Sequence, residues 1–173
     1  MTDSKRLQER RLVAARLFET RADDRRSLEQ FRMTPVATFG FAGGRMFVLT
    51  NDTLADSCPG VYAFVAAHRV NRVGSASGGV PRRLRQYPGD INKAADGLKS
   101  PAPLWEALLW QHVLETFGGD QPEIWARASL PLSSTIGVIP PRMACKAEEF
   151  LVAGAFAAPG LGQPLLNRSK RIT

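Results

Sequence analysis

The sequence contains few of the residues that build metal clusters and disulfide frameworks. In 173 residues there are two cysteines and two histidines. Cys58 and Cys145 are far apart and form no C-x-x-C pair, and neither His68 nor His112 has a cysteine or carboxylate at ligand spacing. This argues against a zinc or redox motif. Because so sparse a cysteine content is typical of reducing compartments, we expect the protein to be cytoplasmic.

Long apolar runs and nucleotide-binding loops are also missing. No run approaches the ~18 apolar residues that span a bilayer. The N-terminal stretch MTDSKRLQERR is charged and no apolar segment follows it, so we expect neither a membrane span nor a secretory signal. The stretch GFAGG lacks a following G-K-[ST] and a following helix pattern, which predicts a tight turn and not a phosphate loop.

Positive charge, by contrast, is abundant. There are 23 Lys and Arg residues against 16 Asp and Glu residues, which gives a net charge of +7 and a pI of about 10.1. The excess is concentrated between Ala66 and Lys93, where six residues are basic and Asp90 is the one acidic residue. Arginine dominates there, and its planar guanidinium matches phosphate geometry. The composition favours a polyanionic partner, although a solvated basic face is the simpler alternative.

Helical and strand patterns alternate along the chain, which predicts an α/β or α+β fold. We expect one long or broken helix from Asp3 to Met33, an irregular stretch from Pro88 to Pro103, and a last helix that begins at Pro140-Pro141. Strands are predicted at VATFGF, RMFVLT, Val61–Val65, Arg69–Val73 and PEIWARASLPL, and further helices at PRRLRQY and LWEALLWQHVLETF.

Five short motifs follow one another along the chain. They are Pro59-Gly60-Val61-Tyr62 with Arg72-Val73-Gly74-Ser75, Arg82-Arg83-Leu84-Arg85-Gln86-Tyr87, Glu148-Glu149-Phe150-Leu151-Val152, and Pro164-Leu165-Leu166-Asn167. In this order the chain resembles the GIY-YIG nuclease family, over roughly Cys58 to Asn167. Tyr62 and Arg72 stand ten residues apart, which is the family's spacing, and R-V-G occupies the place of the usual Y-I-G.

The resemblance implies a fold and a division of the chain. The fold is α/β (α+β), with a small central, mostly antiparallel sheet flanked by helices. Residues 56–173 form the GIY-YIG-like nuclease domain, and residues 1–55 form an extension of a helix and a short hairpin.

The resemblance also implies a catalytic set. It consists of Tyr62, Arg72, Arg83, Tyr87, Glu148 and Asn167. Glu148 is the expected ligand of Mg²⁺ (or Mn²⁺), since this ion is commonly held by one or two carboxylates and keeps several waters. Glu149 is the alternative to Glu148, and Arg82 is the alternative to Arg83. An ordinary surface Glu pair and a packed strand tyrosine are the structural alternatives.

The expected function is therefore metal-dependent hydrolysis of phosphodiester bonds in DNA, most simply double-stranded DNA, by a monomer or homodimer. Two other hypotheses stay open: a catalytically impaired relative that binds nucleic acid, and a small basic interaction protein. The residues expected to contact the nucleic-acid backbone are Arg69, Arg82, Arg85, Lys93, Arg168, Lys170 and Arg171.

Overall fold

The computed structural model describes residues 2–20, 22–51, 54–117, 122–134 and 137–168. Five helices and seven strands lie in these ranges. They are α1 (Asp3–Glu19), α2 (Arg25–Gln30), β1 (Thr34–Ala42), β2 (Arg45–Thr50), β3 (Gly60–Ala66), β4 (Arg69–Ala76), α3 (Val80–Ala95), α4 (Leu104–Phe117), β5 (Glu123–Ala128), β6 (Leu132–Ser134), β7 (Gly137–Ile139) and α5 (Pro141–Ala155). None of these helices is long and apolar enough to cross a membrane.

Five strands form one sheet in the order β2-β1-β5-β3-β4, and each neighbouring pair is antiparallel. Strands β6 and β7 form a separate two-stranded ribbon. The expected α+β class with an antiparallel central sheet is confirmed.

The first two strands belong to the central sheet. Strand β1 pairs with β5 as well as with β2. In addition, Arg10 of α1 donates a hydrogen bond to the carbonyl oxygen of Leu165. Residues from the predicted extension therefore complete the sheet and contact the C-terminal segment, while the boundary at residues 55 and 56 stays a prediction.

The sheet has a helical layer on each face, because side chains of β3 alternate between the two faces. Tyr62 and Phe64 pack into a cluster with residues of α3 and α4. Val61 and Ala63 pack into a second cluster with Cys145 and other residues of α5. Every residue of β3 is buried, whereas β4 is an edge strand of the sheet. The edge of β4 is thus the place where side chains from both faces can meet.

The structure decides one open sequence prediction and overturns part of another. The stretch from Asp3 to Met33 is a broken helix, because residues between α1 and α2 leave the helical conformation. The irregular stretch predicted from Pro88 is wrong at its start, since α3 continues through Pro88 to Ala95. Leu84, Tyr87 and Ile91 recur on one buried face of this helix, and their packing outweighs the backbone hydrogen bond that proline cannot make.

Candidate active site

The site begins with a tyrosine and a glycine that face each other across two strands. Tyr62 of β3 is paired with Gly74 of β4. A Cβ atom at position 74 would lie 2.5 Å from the Tyr62 hydroxyl oxygen. Glycine at this position therefore lets the phenol ring lie directly on the neighbouring strand, with its hydroxyl toward the edge of the sheet.

Arg83 reaches this hydroxyl from the first turn of α3. The helix follows Gly79, whose φ of +114° is unfavourable for residues with a side chain. The Arg83 guanidinium donates a hydrogen bond of 2.7 Å to the Asp90 carboxylate, and the Tyr62 hydroxyl lies close enough to act on its pKa. Burial lowers the pKa of Arg83, but the interactions with Asp90 and Tyr62 outweigh it and raise the pKa. Arg83 is accordingly a permanent cation beside the Tyr62 hydroxyl.

Arg72 also lies close to the Tyr87 ring. Its guanidinium carbon is 5.1 Å from the ring centroid, and that of Arg83 is 5.5 Å away. Arg72 Nη1 donates to Glu106 Oε1 at 2.5 Å and to the carbonyl oxygen of Leu166 at 3.0 Å. Burial lowers the pKa of Arg72, but the neighbouring acidic groups, with Tyr87 and Glu106 first, raise it above its ordinary value. Arg72 cannot serve as a base.

Glu106 of α4 is the centre of a buried polar cluster. Its side chain is fully buried, and it accepts hydrogen bonds from Arg72, from the Tyr87 hydroxyl at 2.7 Å and from Arg168 Nε at 2.8 Å. The Tyr87 hydroxyl in turn accepts a hydrogen bond from Trp110 Nε1 at 2.8 Å. Burial raises the pKa of Tyr87 well above 10 and outweighs the opposing effect of Arg72. Tyr87 therefore keeps its proton at neutral pH.

Sequence reasoning missed Glu106. The available signal was an acidic residue in the first turn of the apolar helix LWEALLWQHVLETF, where a carboxylate needs a cationic partner if it is buried. Glu106 and Arg72 are 34 residues apart along the chain, so no local motif indicates that they pair.

The two neighbouring glutamates of α5 point to different surroundings. Glu148 is 7% exposed, accepts a hydrogen bond from Ser129 Oγ and pairs with Arg127 at 3.3 Å. Glu149 accepts a hydrogen bond of 2.6 Å from Ser75 Oγ of β4, and its charge contributes to the raised pKa of Arg72. Successive helical residues differ in direction by about 100°. Glu148 faces the sheet on the side of Cys145 and Val152, whereas Glu149 approaches the edge of β4.

Asn167 lies along that same edge. Its Oδ1 accepts a hydrogen bond of 2.8 Å from the backbone N–H of Val73. The next residue back, Leu166, donates its backbone N–H to the Asn71 carbonyl oxygen at 2.7 Å. The C-terminal segment therefore continues the hydrogen bonding of β4 and holds the R-V-G triplet in position.

The remaining basic residues have contrasting environments. Arg82 is exposed and, with Arg83 and Ser75, lines a cavity of about 330 Å³. Arg85 is paired with Asp56 at 2.7 Å, and Lys93 is exposed at the end of α3.

Two others lie apart from Arg82. Arg168 donates to Glu106 and to the carbonyl oxygen of Pro101. Arg69 is paired with Asp24 at 3.2 Å, at the opposite end of β4 from Gly74. Lys170 and Arg171 lie outside the described residues.

The oxygen donors near Glu149 suit a hard cation. Within the described ranges no three His, Cys, Asp or Glu side chains form a cluster that could hold a metal ion. Mg²⁺ does not require such a cluster, because it keeps several waters and takes one or two carboxylates. The Glu149 carboxylate, which shares a pocket with the Asn167 amide and contacts the Ser75 hydroxyl, fits this requirement.

Comparisons with known proteins give matches at the level of structure alone. No protein-family model and no curated protein matches this sequence. A single-substitution mutant of bacteriophage T4 EndoII is similar, with a TM-score of 0.56 and 15% identity over 80% of this chain and 98% of that chain. The restriction endonuclease HPY188I in complex with product DNA gives a TM-score of 0.47 and 10% identity, over 80% of each chain. The first of these comparisons shows a shared fold.

Proposed function

We propose that the chain is a divalent-metal-dependent endonuclease that hydrolyses phosphodiester bonds in DNA, on a GIY-YIG-like core. One observation carries the proposal: the Tyr62 hydroxyl and the guanidinium groups of Arg83 and Arg72 lie close to one another beside β4, and the Glu149 carboxylate is bound to Ser75 of the same strand. The fold shared with EndoII supports it.

In this proposal Tyr62 and the two arginines act on different atoms of the substrate. The Tyr62 oxygen orients the attacking water and, once its own proton has passed to solvent, accepts a proton from that water, with the Arg83 guanidinium nearby. Arg83 is also the donor to the scissile phosphate, because its fork can hold two phosphate oxygens where negative charge increases in the transition state. Arg72 supplies a fixed positive charge from the buried side of the site. It occupies the position of the family's second tyrosine.

Glu149 is the proposed metal ligand in preference to Glu148. Glu148 is already held by Ser129 and Arg127 on the other face of the sheet, whereas Glu149 lies near Arg72 and lines a pocket together with Asn167. A divalent ion bound there supplies charge neutralisation at the phosphate oxygens and acidifies water. Ser75 fixes the carboxylate of Glu149 by its hydrogen bond.

Tyr87 and Asn167 are proposed as positioning residues. The Tyr87 hydroxyl is buried and bonded to Glu106 and Trp110, and both guanidinium groups contact its ring, so Tyr87 is suited to position Arg72 and Arg83. Asn167 fixes the backbone of Val73 and so the placement of Gly74 under the Tyr62 ring.

The proposed DNA-binding surface extends from the site along the exposed side of α3. Arg82, Arg85 and Lys93 lie there and suit the backbone of a duplex. Arg168 already bonds to Glu106, so its proposed part is to hold the inner wall of the site as well as to contact phosphate. Lys170 and Arg171 follow it in the sequence and extend the same basic surface in this proposal.

A second candidate function is nucleic-acid binding without cleavage. The observation that favours it is Arg72 itself, which replaces a catalytic phenol and is bound to Glu106 and to the Leu166 carbonyl.

The decisive experiment measures nicking of supercoiled plasmid with Mg²⁺, with Mn²⁺ and with EDTA, for the wild type and two matched variants. Glu149→Gln should abolish cleavage and keep DNA binding and thermal stability. Glu148→Gln should lower the melting temperature, because Arg127 loses its buried partner, yet it should cleave when folded.

Three outcomes would contradict parts of this proposal. Normal cleavage by Glu149→Gln with none by folded Glu148→Gln assigns the metal to Glu148. Normal cleavage by both variants removes the metal site from α5. Salt-sensitive DNA binding by a wild type that does not nick the plasmid with either Mg²⁺ or Mn²⁺ establishes the second candidate function.

A further inference from the structure

A pocket of about 300 Å³ lies beside the candidate site, between α5 and the C-terminal segment. Its size is at the lower end of ligand pockets, which are about 300–1,000 Å³. Its lining combines an aromatic side chain and open glycine positions with residues of the site. These lining residues include Phe150, Gly154, Gln163, Glu149, Asn167 and Arg168.

Phe150 is the most exposed large apolar side chain among the described residues, at 79%. It follows Glu149 directly, so an aromatic ring stands next to the proposed metal ligand. Leu151 is also exposed, at 68%, but it does not line the pocket. Both side chains are exposed on α5, but only Phe150 lines the pocket. A comparison of substitutions at these two positions therefore distinguishes an effect of the pocket from an effect of the exposed helix surface.

Glycine keeps the pocket open. No atom lies within 4 Å of the position that a Cβ of Gly154 would occupy, although Gly154 is inside a helix, where glycine is unfavourable by about 0.5–1 kcal/mol relative to alanine. Because Gly154 lines the pocket, a larger side chain at this position should reduce the pocket's volume.

We propose that this pocket takes a nucleobase of the DNA, next to the phosphate bound at the candidate site and unstacked from its neighbours. The inference rests on the proposed nuclease function and names a class of substrate for it. Phe150 supplies the aromatic face on which a base stacks, and the polar side chain of Gln163 lies in the same lining. Arg168, in the same lining, provides positive charge for the adjoining phosphate.

This arrangement selects DNA that contains an unpaired nucleotide. Removing a base from the stack costs a few kcal/mol in a paired duplex and least at a mismatched or unpaired position. The protein should therefore bind most tightly where one nucleotide is already unpaired, and should cut beside it.

The test compares three labelled duplexes of one sequence by fluorescence anisotropy in EDTA, where no cleavage occurs. One duplex is fully paired, one carries a single unpaired nucleotide, and one carries an abasic unit at the same point. The wild type should bind the unpaired nucleotide about 5- to 150-fold more tightly than the abasic unit, the range expected for stacking one base on an aromatic ring. Phe150→Ala and Gly154→Leu should remove this preference, while Leu151→Ala should keep it. Thermal unfolding of each variant checks that it is folded.

Each result decides the inference. Equal binding of the unpaired and abasic duplexes by the wild type overturns it, and so does a preference that survives in both Phe150→Ala and Gly154→Leu. Equal losses in Phe150→Ala and Leu151→Ala overturn it in favour of a general contact surface on α5. Failure of the wild type to bind any duplex overturns the proposed function as well, whereas plasmid nicking without a preference for the unpaired nucleotide overturns the pocket inference alone.

Discussion

The two guanidinium groups that flank Tyr87 lie in contrasting regions. The inner cluster consists of Arg72, Glu106, Tyr87, Trp110 and Arg168, and its Glu106 carboxylate is completely buried. The outer cluster consists of Tyr62, Arg83, Asp90 and Arg82, at the edge of a cavity open to solvent. The Arg72 side chain is 12% exposed, and that of Arg83 is 29% exposed.

In the proposed function, the inner cluster positions the site and the outer cluster takes part in the chemistry. A buried ion pair gains little net stability relative to an apolar pair, but loss of one partner leaves an uncompensated charge in the interior. The inner cluster is therefore sensitive to any change and has little freedom to move. The two arginines of the outer cluster can exchange their contacts for those of a phosphate, because Arg82 is exposed and Arg83 is partly exposed, whereas Tyr62 is buried beside them.

The largest effect should follow from breaking the inner cluster at its acceptor. Glu106→Gln removes the charge that compensates Arg72, and it should lower the free energy of unfolding by about 3–5 kcal/mol. Urea unfolding followed by circular dichroism measures this loss. The matched control is Glu115→Gln on the same helix, where the glutamate is exposed and accepts a hydrogen bond from Gln111. Similar stabilities of the two variants would show that Arg72 does not depend on Glu106.

The next effect should appear in rate and not in stability. Removal of one preorganised donor to developing charge typically lowers the rate by ~10²–10³. Arg83→Ala should show this loss in single-turnover cleavage with Mg²⁺ at saturating enzyme, and Arg83→Lys should restore only part of it, since lysine lacks the planar fork. Arg82→Ala is the control and should cleave near the wild-type rate at saturation. The reverse ranking would make Arg82 the catalytic arginine.

The sequence named candidates in both clusters, Tyr62 and Arg83 in the outer one and Arg72 and Tyr87 in the inner one, but it did not name Glu106, which joins the inner cluster. Tyr62, Gly74 and Arg83 belong to short motifs on consecutive elements, so local spacing and strand pairing bring them together. Glu106 meets Arg72 only because α4 packs over the sheet, and no periodicity in either segment encodes that crossing.

Adjacent residues on a helix posed a different difficulty. The sequence contains Glu148 and Glu149 side by side, and the choice depends on which face of α5 contacts the sheet. Cys145 and Val152 are the buried residues that define this face. In the sequence, the small and apolar residues around them were equally good candidates for the buried face. The prediction that α3 ends before Pro88 failed for the same reason. The sequence shows the proline directly, but it does not show how strongly the buried face of the helix packs.

A smaller effect is expected from Tyr87→Phe. The variant leaves Trp110 Nε1 and part of Glu106 without their partner and should cost about 1–3 kcal/mol of stability. Its single-turnover cleavage rate should stay near that of the wild type, because Tyr87 is proposed to position the arginines and not to transfer a proton. A loss of cleavage comparable to that of Arg83→Ala would instead assign Tyr87 to the chemistry.

The same variant has a pH signature. Burial raises the pKa of Tyr87 well above 10, so the unfolded chain loses this proton at a lower pH than the folded protein does. The corresponding stability is complete below about pH 10, the pKa of an exposed tyrosine, and is lost as the pH rises above it. The decrease in unfolding free energy between pH 8 and pH 10.5 should therefore be smaller in Tyr87→Phe than in the wild type. An identical decrease would contradict a shifted Tyr87.

The smallest effect concerns the salt dependence of DNA binding, and it distinguishes Arg69 at the start of β4 from Arg82 in the first turn of α3. Each phosphate contact contributes ~0.9 to the slope of log affinity against log salt concentration. Arg82 is exposed beside the outer cluster, so Arg82→Ala should reduce that slope by about 1 on duplex DNA. Arg69 is held by Asp24 and by Thr20 Oγ1 at the other end of β4, so Arg69→Ala should leave the slope unchanged, although the sequence alone assigns both to the backbone contact. Anisotropy titrations from 50 to 200 mM salt, the range over which such contacts change affinity measurably, give both slopes. A reduced slope in Arg69→Ala would extend the DNA-binding surface along the whole of β4 and remove the contrast between its two ends.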